Sequence, residues 1–157
     1  MGRLIRATIG AFLLLIVAAA VGAVAARKRM VSVGTPESDE IGLVGIFDEA
    51  SLTSTASSFR GGSLTDWFGG GDLDLRGATL DPDGARLTVR AIFGGGRIIV
   101  PDDWTVDVDV LPLFGGMSDT RETLEVRAGA PRLQIDGFVL FGGYAIVSAT
   151  DEDLAAV

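Results

Sequence analysis

Two pairs of aspartates, Asp72 with Asp74 and Asp107 with Asp109, stand two residues apart in the sequence. On an extended strand that spacing puts both carboxylates of a pair on one face. Carboxylates so placed can relay protons, as in glycoside cleavage, or hold a hard cation. The 157-residue chain contains neither histidine nor cysteine. That composition excludes Ser-His and Cys-His nucleophiles, imidazole or thiolate zinc sites, disulfides and an acylated N-terminal cysteine. No aromatic sugar platform accompanies the aspartates. The arginines in the same stretches, Arg76, Arg90 and Arg97, suit a plainer reading, in which the acids form the solvated face of half-buried strands. The expectation is no catalytic residue, no metal ligand and no cofactor.

The glycine runs pose the second chemical question. Gly94 to Gly96 follow Phe93, and Gly69 to Gly71 follow Phe68. A phosphate-binding loop needs Gly-Lys-Ser/Thr at the mouth of a helix, which "FGGGRII" lacks. A calcium-binding nonapeptide turn needs Gly-Gly-x-Gly-x-Asp with a partner turn nine residues on; Asp72 stands where the fourth-position glycine should be and no partner follows. What the glycines do have is recurrence. The phrase returns as Phe47 in "IFDE", Phe68-Gly69-Gly70, Phe93-Gly94-Gly95, Phe114-Gly115-Gly116 and Phe141-Gly142-Gly143, at spacings of 21, 25, 21 and 27 residues. A site is needed once, whereas a corner is needed on every lap of a repeating coil.

The elements between these words read as strands. Leu87, Val89, Ala91 and Phe93 alternate with polar neighbours, as do Trp104, Val106, Val108 and Val110, Leu73 and Leu75, Leu124, Val126 and Ala128, and Leu133 and Ile135. Period two marks half-buried strands. "DPDGA", "VPDDW" and "AGAP" supply turns. The expected fold is all-β: a single-stranded β-helix or β-solenoid of about four to five rungs, repeat 21–27 residues, with strands of four to six residues closed by glycine corners. The five phenylalanines should stack as a ladder inside the coil. A β-sandwich with similar turn spacing is the alternative.

Residues 7–26, "ATIGAFLLLIVAAAVGAVAA", carry no charge and are long enough to span a bilayer. A cleaved signal peptide is the rival reading, with Ala23-Val24-Ala25 as the cleavage word. Arg27-Lys28-Arg29 directly after the apolar run favours a retained anchor. The expected organisation is an anchor (1–29), a linker (30–40), a strand domain (41–150) and an acidic tail (151–157). Flanking cations are nearly balanced, so orientation is weakly specified; the strand domain is expected on the cytoplasmic side of a bacterial inner membrane.

Residues 31–157 hold eight arginines, no lysine and 21 acids, a net charge of −13. Such a surface repels nucleic acid. Ile92 and Ile99 flank Gly94 to Gly96 on the face where alternation expects polar residues. With Trp67 they form the candidate interaction patch.

"FRGGSLTDWFGGGDLDLRGA" (59–78), "AIFGGGRIIVPDDWTV" (91–106) and "PLFGGMSD" (112–119) resemble the LiaF-like C-terminal domain of the cell wall-active antibiotics response family, over roughly residues 41–147. The resemblance implies a membrane-attached, non-catalytic regulator of the envelope-stress response, with a protein partner such as a two-component sensor kinase or another envelope protein. The founding type carries several membrane helices before this domain and this chain has one candidate, so the specific kinase does not transfer. Two further expectations stand beside it: a self-assembling β-solenoid scaffold, with homo-oligomers through open end rungs, and an exported carbohydrate-binding or carbohydrate-active domain.

Overall fold

The computed structural model describes residues 2–121, 129 and 131–148. The chain divides into two units, Met1–Val31 and Ser32–Val157. The first is one helix, α1 (Gly2–Arg27). Its stretch Thr8–Ala26, 19 residues with a mean hydropathy of 2.6, is long and apolar enough to cross a bilayer, because at about 1.5 Å per residue it rises nearly the thickness of the hydrocarbon core.

The second unit is a seven-stranded sheet: β1 (Glu40–Ile46), β2 (Leu52–Thr53), β3 (Gly61–Trp67), β4 (Gly69–Asp74), β5 (Ala85–Ile99), β6 (Thr105–Asp119) and β7 (Arg132–Val147). Every pairing between these strands is parallel. A β-sandwich is assembled from antiparallel sheets, so that alternative does not describe the sheet. β5 joins two half-sheets. Its first half pairs with β3, from Gly61↔Arg86 to Asp66↔Ala91, and its second with β4, from Gly69↔Gly94 to Asp74↔Ile99. The two halves meet along the phenylalanine and glycine words. Leu64, Leu87, Val89, Leu133 and Ile135 from one half and Leu73, Ile98 and Ile146 from the other are buried in a common core. Phe59, Leu75, Leu80, Val100 and Trp104, from the connections, complete it. The alternation read at positions 73, 75, 87, 89, 91, 133 and 135 is therefore the inward-facing set. The alternating stretch 124–128 and the tail 151–157 lie outside the described residues.

Three expectations are corrected. First, the glycines do not separate short strands, because β5, β6 and β7 run 15, 15 and 16 residues straight through them. Glycine serves there for close approach. A Cβ on Gly95 would lie 1.8 Å from the Gly143 carbonyl oxygen, and one on Gly142, whose φ is +124°, 1.9 Å from that of Gly94.

Second, the laps do not stack in sequence order. β7 pairs on one side with β5, from Ala85↔Leu133 to Ile99↔Val147, and on the other with β6, from Thr105↔Arg132 to Asp119↔Ile146. Among the described residues the last strand is interior and the strand before it is at the edge. Pro112 supplies the reason. The Thr105 N–H donates to the Pro131 carbonyl at 2.8 Å. Alternate residues Asp107, Asp109 and Leu111 then turn their N–H groups to β7, while positions 106, 108, 110 and 112 turn theirs away. A proline has no N–H to give and is tolerated only on such an outward edge.

Third, the ladder exists but lies outside the core. Phe47, Phe68, Phe93, Phe141 and Phe114 stack in that order with centroids 4.7–5.2 Å apart and planes within 13°. Phe114 is 68% exposed and Phe47 43%. Phe47 and Phe68 have positive φ, 54° and 58°. In β5 to β7 the ladder of partners steps from Ala91↔Val139 to Phe93↔Phe141 and from Pro112↔Val139 to Phe114↔Phe141. Both devices break the alternation, so parity counted before the bend does not carry through it.

The segment expected as a linker is also held to the sheet unit. Val33 pairs with Gly42 in an antiparallel bridge, and the N–H groups of Thr55 and Arg60 donate to Pro36 and Asp39 at 2.7 Å.

Candidate functional site

The aspartate pairs do not converge. Asp72 and Asp74 are in β4, Asp107 and Asp109 in β6, and β5 and β7 lie between those strands. Arg97, opposite Asp72 in register, closes a fork on it through Nε at 3.1 Å and Nη2 at 2.5 Å, and its backbone N–H adds a bond at 3.0 Å. This raises the already high pKa of Arg97. Asp74 takes a similar fork from Arg76 at 2.8–3.2 Å. Burial works against its charge, but the Arg76 bonds outweigh it and hold the carboxyl below the usual range. Asp107 pairs with Arg132 at 2.5 Å. Arg90, expected to relieve these acids, takes part in no ion pair among the described residues.

Nor do the glycines form a phosphate cradle. Gly94 to Gly96 lie in β5, laddered to β4 on one side and β7 on the other, so their N–H groups are spent within the sheet. An open depression of about 490 Å³ does run past Gly69 to Gly71, but its charged lining is Asp48, Glu49 and Asp72, the wrong sign for an anion.

The expected interaction patch is only partly assembled. Trp67 and Ile92 each precede a stacked phenylalanine in neighbouring strands, and both are half-buried. Ile99 is 4% exposed and belongs to the interior. It is buried although it shares strand parity with Arg97, which reaches the outward Asp72, so alternation alone does not set its exposure.

Two features escaped the sequence. One is the β6 surface, where Val108, Leu111, Leu113 and Phe114 are 43%, 62%, 55% and 68% exposed. The periodicity of Trp104 to Val110 promised a buried face, yet Val108 is open because, among the described residues, β6 has a neighbouring strand on one side only. The other is a buried polar pair. Asp66 and Tyr144 are each 3% exposed, and their side chains are hydrogen-bonded between Asp66 Oδ2 and the tyrosine hydroxyl. Burial pushes the Asp66 carboxyl up to about 7. The available signal was parity: Asp66 shares the inward face of β3 with Leu64.

Compared with family models, with curated proteins and with solved structures, the chain gives no match in any of the three.

Proposed function

We propose that the chain is a membrane-anchored, non-catalytic interaction domain that docks a protein partner at the β6 end of its sheet. The observation that carries this reading is the concentration of exposed apolar side chains, Val108, Leu111, Leu113 and Phe114, on one strand of an otherwise acidic unit. We further read the parallel laps as a β-solenoid of five rungs in which the fifth is inserted between the third and the fourth. α1 serves as a single-pass anchor, with the sheet unit on the cytoplasmic side of a bacterial membrane. The likeness of residues 59–78, 91–106 and 112–119 to LiaF-like domains supports placing the activity in an envelope-stress response. Against catalysis stand the separation of the two aspartate pairs and the arginines bound to Asp72, Asp74 and Asp107. The test is a photo-crosslinking residue at position 114 of the full chain in cells. A discrete adduct absent when the residue sits at 76 supports the reading, and equal labelling at both positions rejects it. A reporter active only outside the cytoplasm, fused after Val157, tests the orientation.

A further inference from the structure

The sheet's outward face follows a charge rule that its last strand leaves incomplete. Every acid of β4, β6 and β7 but one has a cation: Arg97 of β5 for Asp72 of β4, Arg86 of β5 for Asp136 of β7 and Arg132 of β7 for Asp107 of β6 come from the neighbouring strand, and Arg76 for Asp74 and Arg121 for Asp119 from two residues on. Asp109 breaks the rule. Its register partner in β7 is Asp136, a like charge, and among the described residues no hydrogen bond or ion pair reaches the Asp109 side chain. Like charges directly opposed are unfavourable, and a cation on the far side of Asp109 would relieve them. The same stretch presents Val106, half-buried, and Val108, exposed, on its other face, and it turns the N–H groups of Val106, Val108 and Val110 to the open edge, as the Thr105 to Pro131 bond requires. Pro112 ends that run of donors.

These three features match one occupant. We propose that residues 105–111 accept an extended segment of the partner protein as an added strand, with Arg or Lys at alternate positions against Asp107 and Asp109 and apolar side chains between them over Val106 and Val108. This rests on the interaction reading above and gives it a recognition mode: main-chain bonds supply affinity and the alternate side chains supply selectivity. A second copy of the chain fits poorly, since β6 carries Asp107, Asp109 and Asp119 and no cation, and two such edges repel.

The test uses the full chain in detergent micelles and three fluorescent octapeptides: alternating Arg-Val, a block of four Arg followed by four Val, and alternating Glu-Val. The alternating basic peptide should bind about tenfold tighter than the block of the same charge, and the acidic one not measurably. Asp107→Asn with Asp109→Asn should weaken it about tenfold. Val108→Pro, which removes one outward N–H and no β7 bond, should weaken it comparably. Should Val108→Pro unfold the domain by circular dichroism, N-methylation of alternate residues in the peptide reads the same main-chain bonds. Equal binding of alternating and block peptides would reduce the effect to net charge and overturn strand addition. Self-association of the full chain that displaces the peptide would overturn it in favour of a second copy. An adduct at position 114 without peptide discrimination would leave the interaction reading standing and remove this one.

Discussion

β6 and β7 carry the same word, Leu-Phe-Gly-Gly, at 113–116 and 140–143, and their fates are opposite. In β7 the residues around it, Ile135, Val139, Tyr144 and Ile146, are buried; in β6 their register partners Val108, Pro112, Met117 and Asp119 are exposed or half-buried. The phenylalanines stack on each other, but Phe141 is 37% exposed and Phe114 68%. A shared motif fixes register here, while neighbours on both sides or one side fix burial. What sorts the two strands is the rest of their sequence: Pro112 and two unburied aspartates suit an edge, and an uninterrupted donor row suits the interior.

The sharpest way to test that contrast is to put the same methyl group on both strands. Gly142→Ala places a Cβ 1.9 Å from the Gly94 carbonyl oxygen at a φ of +124°, whereas a Cβ on Gly116 meets nothing within 4 Å. Strain and overpacking together should cost Gly142→Ala about 5 kcal/mol, enough to abolish folding. Gly116→Ala should stay within about 0.5 kcal/mol of the parent. Urea unfolding in detergent, followed by the fluorescence of Trp67 and Trp104, measures both, and comparable losses would break the comparison.

The next effect comes from Tyr144, a β7 residue whose β6 counterpart is Met117. Asp66, lifted by burial to about 7, keeps a proton in the folded state that the unfolded chain releases near its ordinary value of about 3.9. Stability conferred by that proton is full below about pH 4 and is lost as pH rises through 7, by about 4 kcal/mol at most. Asp66→Asn should flatten this slope. Tyr144→Phe, which strips the carboxyl of its hydroxyl partner, should cost about 2 kcal/mol, and Met117→Leu close to nothing. An unchanged slope in Asp66→Asn would move the titration elsewhere.

The half of the fold that depends on local pattern was legible. Leu87, Val89, Leu133 and Ile135 alternate with polar residues and are buried, and the spacing of the phenylalanines gave the ring column. What depends on neighbours was not. Counting parity through the bend placed Phe93 inside, because positive φ at Phe47 and Phe68 and the skipped partners at Ile92 and Leu140 leave no mark in hydropathy. The burial of Ile99 is a separate loss, since it stands two residues from the outward Arg97 and is nonetheless 4% exposed. Strand order was the other loss. Pro112 in the middle of an apolar run was the one local sign that β6 belongs at an edge, and it means that only when weighed against β7, which carries the same word without a proline.

The ring column offers a smaller contrast. Among the described residues Phe93 is stacked on Phe68 and Phe141, and Phe114 on Phe141 alone. Phe93→Ala should cost about 2 kcal/mol, and Phe114→Ala about 0.5 kcal/mol while abolishing partner capture at that end. Equal costs would mean that the stack contributes nothing beyond local packing.

Pro112→Thr should change stability least and behaviour most selectively. The outward position of residue 112 means that threonine gains an N–H facing solvent rather than a bond to β7, so the unfolding midpoint should move by less than about 0.5 kcal/mol equivalent. The edge changes nonetheless. With Pro112 the outward donors stop at Val110, and with threonine they continue towards the second half of β6, past the acidic residues and alongside Leu111 and Leu113, which are 62% and 55% exposed. A longer, less guarded parallel edge is a template for pairing between copies. Analytical ultracentrifugation of the full chain in detergent should show the variant associating at concentrations where the parent does not, more strongly at high salt, where repulsion between Asp107 and Asp109 of facing copies is screened. If the variant instead loses stability on the scale of Gly142→Ala, the proline ring has a packing role and the edge assignment of residue 112 fails.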